Sequence, residues 1–264
     1  IERLERDVGA GELALREPRI LGSPRDEKQA PRRSSSPATL EPRSSAVKSR
    51  PNILLYVIDT LRADHLGCYG YDKPTSPRID ALASKGILFE RTVAQASWTR
   101  PAVASLLTGL DPPAHGATTL RNGIRKNVVT LAERLRALGY RTGGFVTNVN
   151  VGGRLGFERG FDVYQYLEEE ESRESLHVSA ADLHRALDPW LREPDPRPFF
   201  LYAHATDPHA PYTPTAAVAA RFGATPPGDD DASGKRPGHG GRDLPRNPSA
   251  AQLTQLRALY DGEI

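Results

Sequence analysis

The stretch at residues 97–109, SWTRPAVASLLTG, places a hydroxyl group at the beginning of a predicted helix. The helix is expected at 101–107, because Pro101 is tolerated in a first turn where its missing N–H would be unpaired anyway. The unpaired N–H groups of such a turn favour an anion beside it. Thr99 precedes this turn, so two interpretations stay open: a helix cap, or a nucleophile that attacks an anionic ester.

Carboxylate and imidazole side chains lie near the ends of two other predicted elements. Asp59 closes the apolar run PNILLYVID at 51–59, where a carboxylate either caps the next turn or binds a hard divalent cation. The segment HATDPHAPY at 204–212 holds His204, Asp207 and His209. Such a segment suits metal ligation, proton transfer or anion binding, and a purely structural turn stays open.

The predicted elements alternate between strands and helices along the chain. Strands are expected at 51–59, 87–95, 140–148 and 198–205, and helices at 76–86, 127–139, 179–193 and from 249 onward. This alternation predicts an α/β fold with a largely parallel sheet flanked by helices. In such sheets, ligands bind beyond the carboxyl ends of the strands. Asp59, Asn148 and the segment at 204–209 lie where three strands end, which predicts a shared site.

Composition divides the chain into a tail and a folded region. Residues 1–48 are rich in Arg, Pro and Ser without apolar periodicity, which predicts a disordered linker. Residues 49–264 are expected to form the folded region, with a mobile Gly/Pro-rich loop at 224–250. The last predicted helix is still running at Ile264, so we expect the fold to be incomplete at its carboxyl end.

Charge, cysteine content and hydropathy exclude several classes of protein. With a formal net charge of +2, the chain lacks the strong positive charge of a nucleic-acid-binding protein outside its basic tail. A single cysteine excludes an intramolecular disulfide framework and a cysteine-rich metal site. The chain contains no Met and no apolar run long enough for a signal peptide or a membrane span. Targeting or membrane anchoring is therefore expected only through segments outside this sequence.

Four stretches together resemble the sulfatase family of the alkaline phosphatase superfamily. They read NILLYVIDTLRADHLGCYGY, TSPRIDALASKGILFERTVAQASWTRPAVASLLTGL, GYRTGGFVTNVNVGGRLGFERGFD and FLYAHATDPHAPYTP, and they occur in the family's order between residues 51 and about 215. The final LYDGEI resembles the start of the helix that leads to the family's remaining metal ligands. The resemblance implies an alkaline-phosphatase/sulfatase-like fold, of which this chain is the N-terminal portion.

The resemblance implies roles for individual residues. Asp59 matches the family's first metal-binding carboxylate, and Thr60 stands where a second carboxylate is common. His209 matches the histidine that contacts substrate near the leaving group. Asn148 stands at the position of a family lysine, and both Asn148 and His204 are expected to contact substrate.

The nucleophile position departs from the family's pattern. Thr99 stands where sulfatases carry the Cys or Ser that is oxidised to formylglycine, and Val103 replaces an arginine. The methyl group of threonine blocks formation of the aldehyde, so Thr99 would attack unmodified, polarised by a metal and the helix N-terminus. Superfamily branches with an unmodified Thr act on phosphoesters or transfer phospho-groups.

The expected function is metal-dependent hydrolysis of a sulfuric or phosphoric ester on a small molecule or a glycan. By resemblance the divalent metal is Ca, with Zn or Mn as alternatives, and formylglycine is not expected. A phospho-group transferase or phosphodiesterase of the same superfamily and a non-catalytic sulfatase-like binding domain stay open. This chain alone is expected to be inactive, since one carboxylate and Thr99 rarely form a tight metal site. Nucleic acid is not an expected partner, and an exported, periplasmic or membrane-anchored location fits the family.

Overall fold

The computed structural model of the chain describes residues 50–167, 178–210, 212–225 and 247–264. The predicted linker at 1–48 lies outside these ranges, as does most of the predicted loop at 224–250. Within the described ranges, no helix combines the length and the apolarity that a membrane span requires.

Four strands form a parallel sheet in the described part of the chain. They are β1 (Ile53–Ile58), β2 (Arg141–Val146), β3 (Val163–Tyr166) and β4 (Phe199–Ala205). Their spatial order is β1-β4-β2-β3, and every pairing is parallel. β4 pairs on both sides and is almost entirely buried, as expected for a central strand of a sheet covered by helices.

Helices cover both faces of this sheet. The helices in the described part of the chain, of which α2, α4 and α5 pack against the sheet, are α1 (Pro77–Ala83), α2 (Thr99–Thr108), α3 (Pro112–His115), α4 (Leu131–Ala137), α5 (Ala180–Arg192), α6 (Ala216–Arg221) and α7 (Ala250–Glu263). Side chains of α2 and α4 cluster with Phe200 and Tyr202 on one face, and side chains of α5 cluster with Leu201 and Ala203 on the other. The alternation of side chains along β4 therefore builds two separate cores.

Two glycines in β2 permit close packing against the sheet. A Cβ atom at Gly143 would lie 2.8 Å from the ring of Trp190 in α5. On Gly144, a Cβ atom would lie 2.5 Å from the ring of Tyr164 in β3. Larger residues at these positions would push both aromatic rings outward.

The predicted α/β fold with a largely parallel sheet is confirmed. The strands expected at 51–59, 140–148 and 198–205 correspond to β1, β2 and β4. The helix expected at 127–139 begins later than predicted. The Thr130 hydroxyl accepts a hydrogen bond from the Glu133 N–H, and the Glu133 carboxylate accepts one from the Thr130 N–H. This capping box fixes the first helical residue at Leu131.

One expected strand is absent from the described residues, and one observed strand was not expected. Residues 87–95 form no strand, and Ile87, Phe89 and Val93 are largely exposed, so their apolar alternation has no core to face. β3 was not predicted at all. It spans only four residues at the edge of the sheet, and its half-exposed pattern gives a weak sequence signal.

Candidate active site

Asp59 lies directly beyond the carboxyl end of β1. Its backbone N–H donates to the Ala205 carbonyl at 2.9 Å, which extends the ladder between β1 and β4 by one residue. The side chain is 12% exposed, so the carboxylate is mostly shielded yet open on one side. Strand pairing therefore fixes this carboxylate at the edge of the sheet where α/β folds bind ligands.

Thr99 is the first residue of α2, which begins two residues earlier than predicted. The cap position belongs to Trp98, which makes no side-chain cap hydrogen bond. The Thr99 hydroxyl instead donates to Oδ2 of Asp59 at 3.0 Å. The interpretation of Thr99 as a helix cap is therefore wrong, and its hydroxyl lies at the carboxylate expected to bind a metal.

Asn148, which follows β2, contributes a second hydrogen bond to Asp59. Its Nδ2 donates to Oδ2 of Asp59, and its Oδ1 accepts from the Asn150 N–H at 2.8 Å. The second bond caps the short 3-10 helix Val149–Val151, and it fixes which end of the amide faces Asp59. The structure thus brings these strand ends together as predicted.

His204 is fully buried behind Asp59. Its Nε2 lies 3.5 Å from Oδ2 of Asp59 and has no hydrogen-bond partner among the described residues. Its Nδ1 lies 2.7 Å from the hydroxyl of Tyr202, which occupies the same face of β4 two residues earlier. Burial raises the pKa of Tyr202 well above its ordinary value, so the phenol stays protonated and can donate to Nδ1. The ring proton then lies on Nε2 and faces the carboxylate.

The surroundings of Asp59 keep its carboxyl group ionised. Burial alone would raise its pKa. The imidazole of His204, the hydroxyl of Thr99 and the charge of His209 outweigh that effect, so the pKa of Asp59 lies below its ordinary value. An ionised carboxylate is the form that ligates a divalent cation or accepts a proton from a nucleophile.

His209 lies in the turn after β4, half-buried and within electrostatic range of Asp59. Its N–H donates to the Thr206 carbonyl at 2.6 Å, and its Nδ1 lies 2.7 Å from the Ala210 carbonyl. A carbonyl only accepts, so Nδ1 carries a proton and Nε2 remains available to gain or give one. His209 makes no hydrogen bond with Asp59 or Thr99 among the described contacts, so its predicted role toward a leaving group stays a prediction.

A side-chain hydroxyl of α7 hydrogen-bonds to main-chain atoms of the turn that follows Asp59. Thr60 has a φ of 56°, a left-handed conformation that β-branched residues rarely adopt. The Tyr260 hydroxyl donates to the Thr60 carbonyl at 2.9 Å and accepts from the Arg62 N–H at 2.8 Å. The residue Thr60 is exposed, and its role as a metal ligand stays a prediction.

Asp261 of α7, which the sequence analysis did not single out, is fully buried against the chain that follows this turn. Its carboxylate accepts from Nδ1 of His65 at 2.7 Å, the Tyr71 hydroxyl at 2.8 Å and Nζ of Lys73 at 2.7 Å. Burial alone would raise the pKa of Asp261, but these hydrogen bonds outweigh it and the pKa lies below its ordinary value. The partners are 188 to 196 residues apart, so no local sequence pattern predicts them.

Arg100, the arginine of α2, stabilises the loops around this helix and does not occupy the arginine position of the family's pattern. Val103, at the position where the family's pattern has an arginine, is 5% exposed in the hydrophobic cluster beneath α2. Arg100 is equally buried and donates to the Thr119 carbonyl at 2.9 Å and the Asn150 carbonyl at 3.1 Å. Arg100 therefore ties together the loops on either side of α2.

Among the described residues, the Asp59 carboxylate and the Thr99 hydroxyl are the oxygen groups at this point that could ligate a hard divalent cation. Oδ2 of Asp59 accepts two hydrogen bonds, which leaves Oδ1 for a cation beside the Thr99 hydroxyl. Within the described ranges, no three His, Cys, Asp or Glu side chains converge as a metal site. The groups present therefore fit one side of an oxygen-ligated site, and a tight site needs further ligands.

Curated relatives of this chain are sulfatases. The ulvan-active sulfatase of Formosa agariphila is 32% identical over 114 residues, which cover 43% of this chain and 23% of that protein. Human arylsulfatase A is 39% identical over 104 residues, which cover 37% of this chain and 20% of that protein. The matched part thus spans about a fifth of the length of these relatives.

The fold also matches solved structures. The phosphonate monoester hydrolase of Agrobacterium radiobacter superposes with a TM-score of 0.60 at 23% identity, covering 81% of this chain and 56% of that one, which shows a shared fold. A sequence model of the family described as Sulfatase matches residues 51–264. This match covers all four strands and the cluster around Asp59, and the chain belongs to the sulfatase family of the alkaline phosphatase superfamily.

Proposed function

We propose that the protein is a metal-dependent hydrolase of sulfuric esters, with phosphoric esters as the alternative class, and that Thr99 is its unmodified nucleophile. The observation that carries this proposal is the 3.0 Å hydrogen bond from the Thr99 hydroxyl to the Asp59 carboxylate. Membership of the sulfatase family and the sulfatase activity named for its relatives support the choice of ester. The ester is carried by a small molecule or a glycan.

Asp59 and α2 prepare Thr99 for attack. The hydroxyl proton points at Oδ2 of Asp59, so the lone pairs of Oγ1 are left to attack the sulfur or phosphorus atom. Attack forms a bond from Oγ1 to that atom and breaks its bond to the ester oxygen, while Asp59 holds the proton. The N-terminus of α2 stabilises negative charge on the transferred group.

The leaving alcohol takes its proton from His209 in this proposal. Its Nε2 is the ring nitrogen left unoccupied by the Ala210 carbonyl. Water then attacks the sulfur or phosphorus atom and gives a proton to Nε2 of His209, while the bond to Oγ1 breaks and Oγ1 takes its proton back from Asp59. When bound, a divalent cation with Asp59 as a ligand supplies Lewis-acid stabilisation of the transferred group, and family resemblance favours Ca over Zn or Mn.

Asn148 and His204 act through Asp59 in this proposal. Both side chains face Oδ2 of Asp59 and fix its orientation. The substrate contacts expected for them from the family's pattern stay predictions.

Replacement of Thr99 in the natural protein tests the nucleophile. We expect Thr99→Ala to lower turnover of an aryl sulfate by roughly 10³-fold or more, and Thr99→Ser to retain turnover because it keeps the hydroxyl. Thr108→Ala at the other end of α2 is the matched control, because its hydroxyl bonds to the Ala104 carbonyl and the Leu110 N–H and not to Asp59. Parallel assays with an aryl phosphate decide the ester class, and analysis of products separates hydrolysis from group transfer. Full activity of Thr99→Ala would show that Thr99 is not the nucleophile.

A second candidate is a sulfatase-like domain that binds anions without turnover, and it is favoured because Asp59 is the one carboxylate at the site among the described residues. Calorimetric titration of the natural protein with Ca²⁺, Zn²⁺ and Mn²⁺ separates the two candidates. A hydrolase binds one of these cations and loses that binding in Asp59→Asn. The absence of binding to all three supports the non-catalytic candidate.

A further inference from the structure

A groove with cationic walls lies on the loops that follow α3 and Asn148. One cavity of about 370 Å³ lies next to a second of about 610 Å³, since Gly123 and Arg125 line both. We call the two together the basic groove. Its cationic lining residues are Arg121, Arg125, Lys126, Arg154 and Arg159.

Most of this positive charge is free to meet a ligand. Arg121, Lys126 and Arg154 are exposed, and their side chains have no ion pair among the described residues. Glu158 is the acidic residue of the lining, and its carboxylate accepts from the Gly156 N–H at 3.0 Å. The chain has a net charge of only +2, so this local excess of cations is not a property of the whole surface.

The walls of the basic groove are fixed in place. The Ile124 N–H donates to the Leu155 carbonyl at 2.8 Å, and a Cβ atom on Gly123 would lie 2.1 Å from the Leu155 oxygen. The Arg159 guanidinium donates to main-chain carbonyls, including that of Val128 at 2.8 Å. Arg154, which lines the smaller cavity, has a φ of 91°, a strained conformation for a residue other than glycine. A ligand therefore meets a preorganised surface.

The basic groove and the candidate active site share their supporting loops. Arg154 lies on the loop that begins at Asn148, and Arg121 lies two residues beyond Thr119. Arg100, adjacent to Thr99, donates to carbonyls of both loops. A long substrate bound in the groove would therefore run beside the elements that carry Thr99 and Asn148.

We infer that the basic groove binds a sulfated glycan chain and sets the substrate class of the proposed hydrolase, an inference that rests on the proposed function. Five cationic side chains around one cavity, with a second cavity next to it, suit an extended chain with repeated anionic groups better than a single small ester. The guanidinium groups can each make paired hydrogen bonds to a sulfate. None of the described residues that line the groove is aromatic, whereas single-stranded nucleic acid is held by stacking on aromatic rings.

Affinity for dextran sulfate, with unsulfated dextran as the reference, tests the inference. The variant Arg121→Ser/Arg154→Gly removes two groove cations, and glycine suits the backbone at position 154. We expect dextran sulfate to bind on the order of tenfold more weakly to this variant at moderate salt, and unsulfated dextran not to bind. Arg78→Ser/Lys85→Ser removes the same charge from exposed positions in and after α1 and should leave the affinity unchanged.

Three results would overturn the inference: no binding of dextran sulfate, equal weakening by both double variants, or tighter binding of a single-stranded DNA of matched charge. Thermal unfolding of both double variants checks that each is folded. Two further measurements distinguish a failure of this inference from a failure of the proposed hydrolase function. Thr99→Ala is expected to keep dextran sulfate binding, and the groove variant is expected to keep turnover of a small aryl sulfate. Glycan binding without turnover in the natural protein would contradict only the hydrolase.

Discussion

At the scale of single residues, one carboxylate oxygen organises the candidate site. Oδ2 of Asp59 accepts from Thr99 and Asn148, and Nε2 of His204 lies 3.5 Å away. These residues could be predicted because each lies at the end of a strand or the start of a helix. Tyr202 was not among the predicted site residues, although a spacing of two residues places it on the same strand face as His204.

Tyr202→Phe tests the hydrogen bond that orients His204. Loss of the hydroxyl leaves a buried imidazole nitrogen without its partner, so we expect the free energy of unfolding to fall by about 1–2 kcal/mol. Urea unfolding measures the change. Tyr140→Phe is the matched control, because Tyr140 is also buried but its hydroxyl makes no hydrogen bond among the described contacts. Equal effects of the two substitutions would mean that the Tyr202 hydroxyl does not stabilise the site.

At the scale of elements, local sequence patterns predict the strands and helices that position the site. Long-range contacts determine whether an apolar segment forms a strand and where α7 docks. β1, β2 and β4 follow from their apolar runs and flanking turns. The expected strand at 87–95 fails because a strand needs partners and a core, and these lie elsewhere in the chain. The docking of α7 could not be predicted, because the partners of Asp261 lie almost 200 residues away in sequence.

Asp261→Asn tests the docking of α7. The amide offers donors to Lys73, His65 and Tyr71, which already donate, so we expect a loss of about 2 kcal/mol in the free energy of unfolding. Chemical denaturation followed by circular dichroism measures it. The control Asp188→Asn disrupts an exposed ion pair within α5 and should leave the unfolding midpoint in place. If the two variants unfold alike, Asp261 is not a main anchor of α7.

At the scale of the whole molecule, stability responds to pH through a carboxyl group at the end of α7. Burial raises the pKa of Glu263 to about 7, the nearby Asp207 charge adds to this effect, and the Thr213 N–H opposes it. The ordinary value for Glu is 4.5. Between these two values the folded chain holds a proton that the unfolded chain releases, so the folded state loses stability as pH rises.

Glu263→Gln is expected to flatten that dependence. The wild-type free energy of unfolding should fall as pH rises from about 4.5 to about 7, whereas the variant should lose this part of the slope because it has no proton to release. Urea unfolding at several pH values measures both slopes, and Glu90→Gln, at an exposed position, is the control. An unchanged slope in Glu263→Gln would locate the pH dependence in another group.

The hydrogen bonds between Tyr260 and the main chain of the turn after β1 have an evolutionary consequence. Among the described residues the Tyr260 hydroxyl hydrogen-bonds to main-chain groups, the Thr60 carbonyl and the Arg62 N–H, so the turn can keep its shape while the side chain at position 60 changes. Asp enters the left-handed region more readily than Thr, and Thr60→Asp would add a second carboxylate next to Asp59. A lineage can therefore gain or lose an acidic ligand at this position by substitution, without rebuilding the loop that presents it.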